Sequence, residues 1–430
     1  MSRPPTPTPP NTPTSTSTTP EHDTLDQYHQ RRRRLRHFLQ IPLQLERFIG
    51  VGLFICLDIF LYLFTVLPLH IIGSLFYCVV RLIKPLHSFR FRSFSPSKIS
   101  QDFSICMLFI IGTSVVFAWD LSRLYHAVRG QNLMKLYSMY QLIEILDRLL
   151  SSVGQDSIDN CTFSIKSFLL KFSRFRPLGP SLSLFHVISD HIFAFLYMSA
   201  HVSVILFQLI TLNVAINSKQ NSVVALLISN NFFELKSAVF KKYSKVPLFQ
   251  IASSDITERF HMIVLTTMVG LQSFVDMGGF YSLLWSQLGL AFAVLLGSEL
   301  AVDWAKHAFV CFYNGHSPQL YTGFKHILYN DVVSNNNENG SKHLRPSVAR
   351  RIGFVPLPLA CVSVRVVWES FRTGIFTCKL VYIIPIISFL FVSKYLVSSW
   401  LIYHSSKCVN QPDPELEKVQ RYMLLEKRVP

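Results

Sequence analysis

The chain has 430 residues, half of them hydrophobic, with 41 Lys and Arg against 25 Asp and Glu and a formal net charge of +16. Its mean hydropathy is +0.33, and only 15% of its residues are charged, against about 25% in a typical soluble domain. The apolar residues come in long uncharged runs, near or above the roughly 18–20 residues of a bilayer-spanning helix, which speaks against an ordinary soluble enzyme. The basic residues lie between those runs, where they suit cytosolic loops and anionic headgroups, and no recognition motif points to nucleic acid.

Residues 1–30 are rich in Pro, Thr and Ser and lack the apolar surface to offset ordering, so segment 1–40 reads as a disordered, basic amino-terminal region. It has no h-region, and targeting is expected from the first apolar run acting as a signal anchor. Arg31, Arg32, Arg33, Arg34 and Arg36 precede that run and place this end in the cytosol. The run itself, Phe48–Val80, is too long for one span and contains Pro68. Basic flanks on both sides point to a hairpin or re-entrant segment, with a span continued by an interfacial helix as the alternative.

Phe103–Trp119 is the second run. From Asp120 to about Asp159 the chain is amphipathic: Leu136, Tyr140, Ile143 and Leu150 share a helical face, and Glu144 and Arg148 stand at the spacing of an ion pair. Ile192–Leu212 is the third run, followed by a Lys-rich amphipathic stretch over 213–260 in which Asp255 and Glu258 read as a helix start. His261–Val275 and Phe280–Val302 flank Asp276-Met277-Gly278-Gly279, read as two spans and a tight turn. Segment 334–341 reads as a mobile loop. Phe354–Trp368 and Gly374–His404 close a membrane domain at 41–404, and 405–430 is a polar tail in which a short helix is expected from Pro414. The fold class is therefore all-α: a multi-pass helical integral membrane protein with six to eight membrane segments and amphipathic interfacial helices. Membrane lipids are its first expected partners.

Glu299, Asp303 and His307 line one helical stripe. They have the chemistry of metal ligands, but Lys306 stands beside Asp303 and the short HExxH signature is absent, so a polar helix face is the favoured reading. Asp58, His201, Arg365 and Lys394 fall inside apolar runs, where ionisable groups point to function or to pairing between spans; Lys394 is expected to snorkel. The eight cysteines form no CxxC pair and read as buried thiols. No GxSxG elbow, phosphate-binding loop or cofactor motif occurs, so a non-enzymatic protein without cofactor is expected. Asn160-Cys161-Thr162 and Asn339-Gly340-Ser341 are sequons; with the hairpin, Asn160 falls in a lumenal loop and is the expected glycosylation site, whereas with Phe48–Val80 as one span Asn339 takes the lumenal place.

Several motifs resemble a known family when taken in order. They include Arg129-Gly130-Gln131, Asp147-Arg148-Leu149, Gly154-Gln155-Asp156, Thr211-Leu212-Asn213-Val214-Ala215 and Ser229-Asn230-Asn231-Phe232. Phe240-Lys241-Lys242, Ser298-Glu299-Leu300-Ala301-Val302-Asp303, Lys306-His307-Ala308-Phe309 and Ala349-Arg350-Arg351-Ile352-Gly353-Phe354 follow. Over about residues 45–403 the chain resembles the transmembrane anterior posterior transformation protein family, also called the cytomegalovirus receptor family. The resemblance implies a multi-pass protein of the endoplasmic reticulum membrane. It implies protection of newly made proteins during folding, beside a membrane partner with a SUN-like domain, as linked to fungal members. It also implies the primary cilium formation and skeletal and axial patterning linked to animal members. It supplies no catalytic residue. A channel, transporter or lipid mover using the intramembrane polar residues is the competing reading.

Overall fold

The computed structural model of the chain describes residues 20–83, 96–173, 184–217, 232–233, 235–276, 289–339, 346–372 and 379–409. The helices are α1 (Pro20–Phe64), α2 (Val66–Ile83), α3 (Pro96–Ala118), α4 (Leu121–Arg129), α5 (Leu133–Ser173) and α6 (Leu184–Ile216). They continue with α7 (Lys245–Asp276), α8 (Gly289–Asn314), α9 (Gln319–Asn339), α10 (Pro346–Ile352), α11 (Pro356–Arg372) and α12 (Lys379–Val409). No strand occurs among the described residues, so the all-α reading holds.

α1 is the axis of one helix group and packs against α2 and against α7 through α12. Its buried Ile41, Leu45, Phe48 and Ile55 recur at intervals of four, three and seven, which keeps them on one face. Phe48 meets Phe249 of α7 and Phe324 of α9, with ring centroids 6.1 and 5.9 Å away. Each such buried ring contributes about 1.5–3 kcal/mol. In the second group α5 runs antiparallel to α6, and α3 packs on both. α11 touches α1, α3, α6 and α7 and so ties the groups together.

α10 ends in a left-handed residue, Gly353 at φ +80°. The Gly353 amide donates to Arg350 O and the Phe354 amide to Ala349 O, closing the last carbonyls and turning the chain into α11. Only glycine adopts that φ without cost, which gives the Arg350–Phe354 motif a physical reason.

Among the described residues, three helices are long and apolar enough to cross a membrane: Gln27–Ser74, Phe185–Ile216 and Ile384–Val409. A fourth span results if Asp102–Ala118 and Leu121–Arg129, bent by 59° at Asp120, count as one. That is fewer than the six to eight segments read from the sequence. Within the described residues the difference lies in α7 and α8, whose apolar runs are flanked by buried charges, and in α11, which has 17 residues; residues 280–288 of the expected span Phe280–Val302 lie outside them.

Four expectations are corrected. Phe48–Val80 is no hairpin within the described residues: helix continues through Gln27–Ser74, and at Thr65 the amide still donates to Leu61 O at 3.1 Å. The segment taken as disordered over 1–40 is helical from Pro20, because an Arg-, Leu- and Gln-rich stretch cheaply extends a helix already nucleated by packing. α9 continues through Asn339, so 334–339 is helix rather than loop. Asp255 and Glu258 lie in the middle of α7 rather than at its start. The Gly278-Gly279 turn and the tail helix from Pro414 lie outside the described residues.

Candidate functional site

Buried polar groups converge on α7. Asp255 and Arg259, four residues apart, form one stripe of that helix, and Glu258 and His261 form the neighbouring one. The apolar Leu248, Ala252, Ile256 and Phe260 hold α7 in the core and thereby fix where these groups point.

The first stripe faces α8 and α1. Lys306 Nζ lies 2.7 Å from Asp255 Oδ1 and 3.0 Å from Asp303 Oδ1. Arg259 Nε donates to Asp303 Oδ2 at 2.8 Å, and its Nη1 to Glu46 Oε1 at 2.8 Å. The Trp304 indole donates to the same Glu46 oxygen at 2.7 Å. His307 Nε2 stands 2.6 Å from Asp255 Oδ2, and its Nδ1 stands 2.8 Å from the Tyr321 hydroxyl on α9. His307 thus bridges Tyr321 and Asp255 through its two ring nitrogens, and Tyr321–His307–Asp255 form a continuous hydrogen-bonded relay. Asp255, Asp303, Lys306 and His307 are all at most 2% exposed. Burial opposes ionisation of Asp255, but Lys306 and His307 outweigh it and hold its carboxyl below the usual carboxylate range. Burial pushes the Tyr321 hydroxyl well above its ordinary value.

The second stripe faces α5 and α6, where the same three residue types recur. The Tyr197 hydroxyl lies 2.7 Å from His201 Nδ1, and His201 Nε2 lies 2.9 Å from Asp147 Oδ1. The other Asp147 oxygen faces His261 Nδ1 at 3.5 Å. Burial again opposes ionisation, and His261 and His201 again outweigh it, holding the Asp147 carboxyl low. One residue along, Arg148 Nη2 reaches Glu144 at 2.9 Å and Glu258 at 3.3 Å. Burial and the carboxylates of Glu144, Glu299 and Glu258 push the Tyr140 hydroxyl up, Glu144 and Glu299 leading among the charges. The helices approach this closely because residue 154 is glycine: a Cβ there would lie 2.0 Å from the Tyr197 hydroxyl.

A third contact joins two spans. Lys394 of α12 pairs with the Asp58 carboxylate of α1, donates to Asp58 O at 2.9 Å, and Ser398 donates to the same carboxylate. Lys394 is therefore buried and paired, which corrects the expectation that it snorkels. Arg365 pairs with Glu369 at 2.7 Å and lies over the Phe117 ring at 4.5 Å.

The combined geometry is that of helices locked by charge and hydrogen bonds. No group of three or more His, Cys, Asp or Glu placed to hold a metal occurs among the described residues. A cleft of about 490 Å³ is lined by Asp156, Asp159, Asn160, Thr162, Lys166 and Arg350.

The match of residues 95–410 to the model of a eukaryotic membrane protein family covers most of the chain. The chain belongs to that family. It is 36% identical to the transmembrane anterior posterior transformation protein 1 homolog of Homo sapiens over 84% of this chain and 62% of the relative. It is 34% identical to the TAPT1 homolog of Drosophila melanogaster over 81% and 50%. It is 35% identical to endoplasmic reticulum membrane protein 65 of Schizosaccharomyces pombe over 82% and 56%. The chain thus spans about half to three-fifths of the length of these curated relatives. No solved structure matches it.

Against this family frame, Asp147, Arg148, Asp303 and His307 meet around α7, and Glu299 of α8 lies near Tyr140 of α5. Asn213 joins α6 to α7 by donating to Gln272 at 3.0 Å. Arg350 pairs with Asp156 at 2.6 Å and Asp159 at 3.3 Å, and Arg351 pairs with Asp331. Arg129 and Gln131 stay exposed at the α4–α5 turn, where Gln131 donates to Ala127 O at 3.1 Å. Asn230 and Asn231 lie outside the described residues. Asn160 sits on the exposed side of α5, and the Thr162 hydroxyl donates to Asp159 O at 3.0 Å, which corrects the loop expected around this sequon. Sequence reasoning missed Glu46, Tyr197, Arg259, His261 and Tyr321. The available signal was polar residues recurring every three or four positions through the apolar pattern of 248–265.

Proposed function

We propose that this chain is a non-enzymatic scaffold of the endoplasmic reticulum membrane that protects newly made proteins during folding, beside a membrane partner with a SUN-like domain. In animal relatives the same role would underlie cilium formation and skeletal and axial patterning. The observation that carries the reading is mutual satisfaction: Asp255, Asp303, Lys306, Arg259 and His307 are spent on one another, as a framework requires. The name of the fission-yeast relative, an endoplasmic reticulum membrane protein, supports the compartment. Segments 120–160 and 213–260, which combine apolar faces with clustered charge, are the proposed contact surfaces.

The test is affinity purification of the full-length protein in mild detergent from an endoplasmic reticulum fraction. Co-purification of a SUN-like membrane protein, lost when exposed positions of 120–160 are changed, supports the reading. Its absence from a folded, intact preparation overturns the partner. A solute flux in proteoliposomes that disappears in Asp58→Asn would instead favour the transporter reading.

A further inference from the structure

Three segments far apart in sequence build one exposed basic and aromatic surface. The first is the amino-terminal arm of α1. Residues 27–37 are exposed throughout, including all five arginines of the Arg31–Arg36 cluster. On the arm Leu35, Leu39 and Leu43 follow one another at intervals of four and are 60, 76 and 58% exposed. Arg32 and Arg36 stand three residues before Leu35 and Leu39, so cations flank an apolar stripe on the same face. A stripe of this kind is at rest neither in water nor against a wholly apolar surface.

The second segment is the carboxy-terminal end of α8, the third the turn at 240–242. Phe38, at the base of the arm, packs edge-on against Phe309 and Phe312, with centroids at 5.3 and 6.0 Å. Tyr313 stacks on Phe309 and meets Phe240 at 5.9 Å. Asn314 holds the turn in place: it accepts from the Tyr243 amide at 3.1 Å and donates to Lys241 O at 3.3 Å. Phe240 is 78% and Tyr313 58% exposed, and Lys241 and Lys242 beside them are exposed. The contacts therefore run without a gap from the arginine arm through the aromatic rings to the lysine turn.

We propose that this surface is a docking face for anionic phospholipid headgroups, with the arm lying along the membrane. Three observations select that occupant. The seven cations match a phosphate-rich plane, at about 1 kcal/mol for each basic residue near an anionic leaflet. The interleaved Leu, Phe and Tyr suit the boundary between headgroup and acyl chain. The arm is also continuous with a spanning helix: Gln27–Ser74 has 48 residues, about 72 Å at 1.5 Å per residue, more than twice the ~30 Å core. The excess must leave the core, and Pro42 lies inside α1 where it does so. Proline cancels one backbone bond there, to Phe38 O, and allows the arm to bend onto the surface.

The experiment is hydrogen exchange on the full-length protein in nanodiscs, comparing phosphatidylcholine alone with discs containing about 30% phosphatidylserine, an anionic-leaflet mimic. The expected result is slowing of about tenfold in both the arm (27–43) and the 240–243 turn when the anionic lipid is present, and its loss in the Arg32→Gln, Arg36→Gln, Lys241→Gln, Lys242→Gln variant. These four side chains are exposed, so the variant should retain the thermal midpoint of the parent. A second variant, Leu39→Ser with Phe240→Ser, should weaken the slowing while keeping every charge. Equal exchange in the two lipids overturns the proposal. So does slowing of the arm without the turn, or the same slowing produced by inorganic phosphate in phosphatidylcholine discs.

Discussion

The two Tyr–His–Asp relays on either side of α7 use identical residue types in the same order, yet their surroundings differ. In Tyr321–His307–Asp255 the carboxylate also holds Lys306, which is itself shared with Asp303. In Tyr197–His201–Asp147 the second carboxylate oxygen faces His261 at 3.5 Å. The first relay is thus anchored by a lysine 1% exposed, and the second by another imidazole at the edge of the bundle. The same hydrogen-bond order therefore carries different weight: losing Asp255 takes a carboxylate from the Lys306 ammonium and leaves it the one shared with Arg259, whereas losing Asp147 takes its hydrogen bonds from two imidazoles.

Deleting the two carboxylates measures that contrast most directly. Asp255→Ala should lower stability by about 3–5 kcal/mol, because Lys306 and His307 both lose a buried partner and Lys306 keeps Asp303, a carboxylate it shares with Arg259. Asp147→Ala should cost about 1.5–3 kcal/mol. Thermal unfolding of both variants in mild detergent checks the order, and equal losses would show that Lys306 adds nothing to the first relay. The spanning pair Asp58–Lys394 extends the comparison to a pair outside both relays. Lys394→Met should cost about 3–5 kcal/mol, as much as losing Asp58, and the joint Asp58→Leu, Lys394→Met change should recover most of it. A mild Lys394→Met phenotype would return that lysine to the snorkelling state expected from sequence.

Crowding at the second relay is testable alone. Gly154→Ala places a methyl against the Tyr197 hydroxyl and should cost about 1–3 kcal/mol. Tyr197→Phe in that background should restore part of it, because it removes the obstructing oxygen; purely additive losses in the double-mutant cycle would refute the contact. Acid sharpens the relays together. Both carboxyls are depressed in the folded state, so their stabilisation is fully present above the unfolded value of about 4 and is lost as pH falls through the lower folded values. An unfolding series from pH 7 to pH 3 should be flatter in Asp255→Asn than in the parent, since the parent alone has that contribution to lose. The smallest effect belongs to Asn160→Gln. With the sequon inside α5 and its Thr162 hydroxyl bonded to Asp159 O, electrophoretic mass should be unchanged by the substitution or by endoglycosidase.

Much of the helix content and several same-face groups were legible in the sequence, because a helix repeats every 3.6 residues and brings i, i+3 and i+4 together wherever it sits. The uncharged runs marked the spans at Phe185–Ile216 and Ile384–Val409. The Glu144–Arg148 pair and the Glu299–Asp303–His307 stripe followed from spacing alone, as did the closeness of Lys306 to Asp303. What the period cannot supply is the neighbour across a helix interface. His201 was visible as an ionisable group in an apolar run, but its partners lie four residues away in Tyr197 and 54 away in Asp147. Lys394 meets Asp58 across 336 residues, and Asp255 faces Lys306 across 51. These partners are chosen by which helix faces pack, and that choice is made by the whole apolar core at once. The sequence by itself determined that this chain is a helical membrane protein with polar residues where they are costly; only the tertiary structure decided that those residues compensate one another, because the cost of a buried charge is set by the atoms within a few ångströms of it.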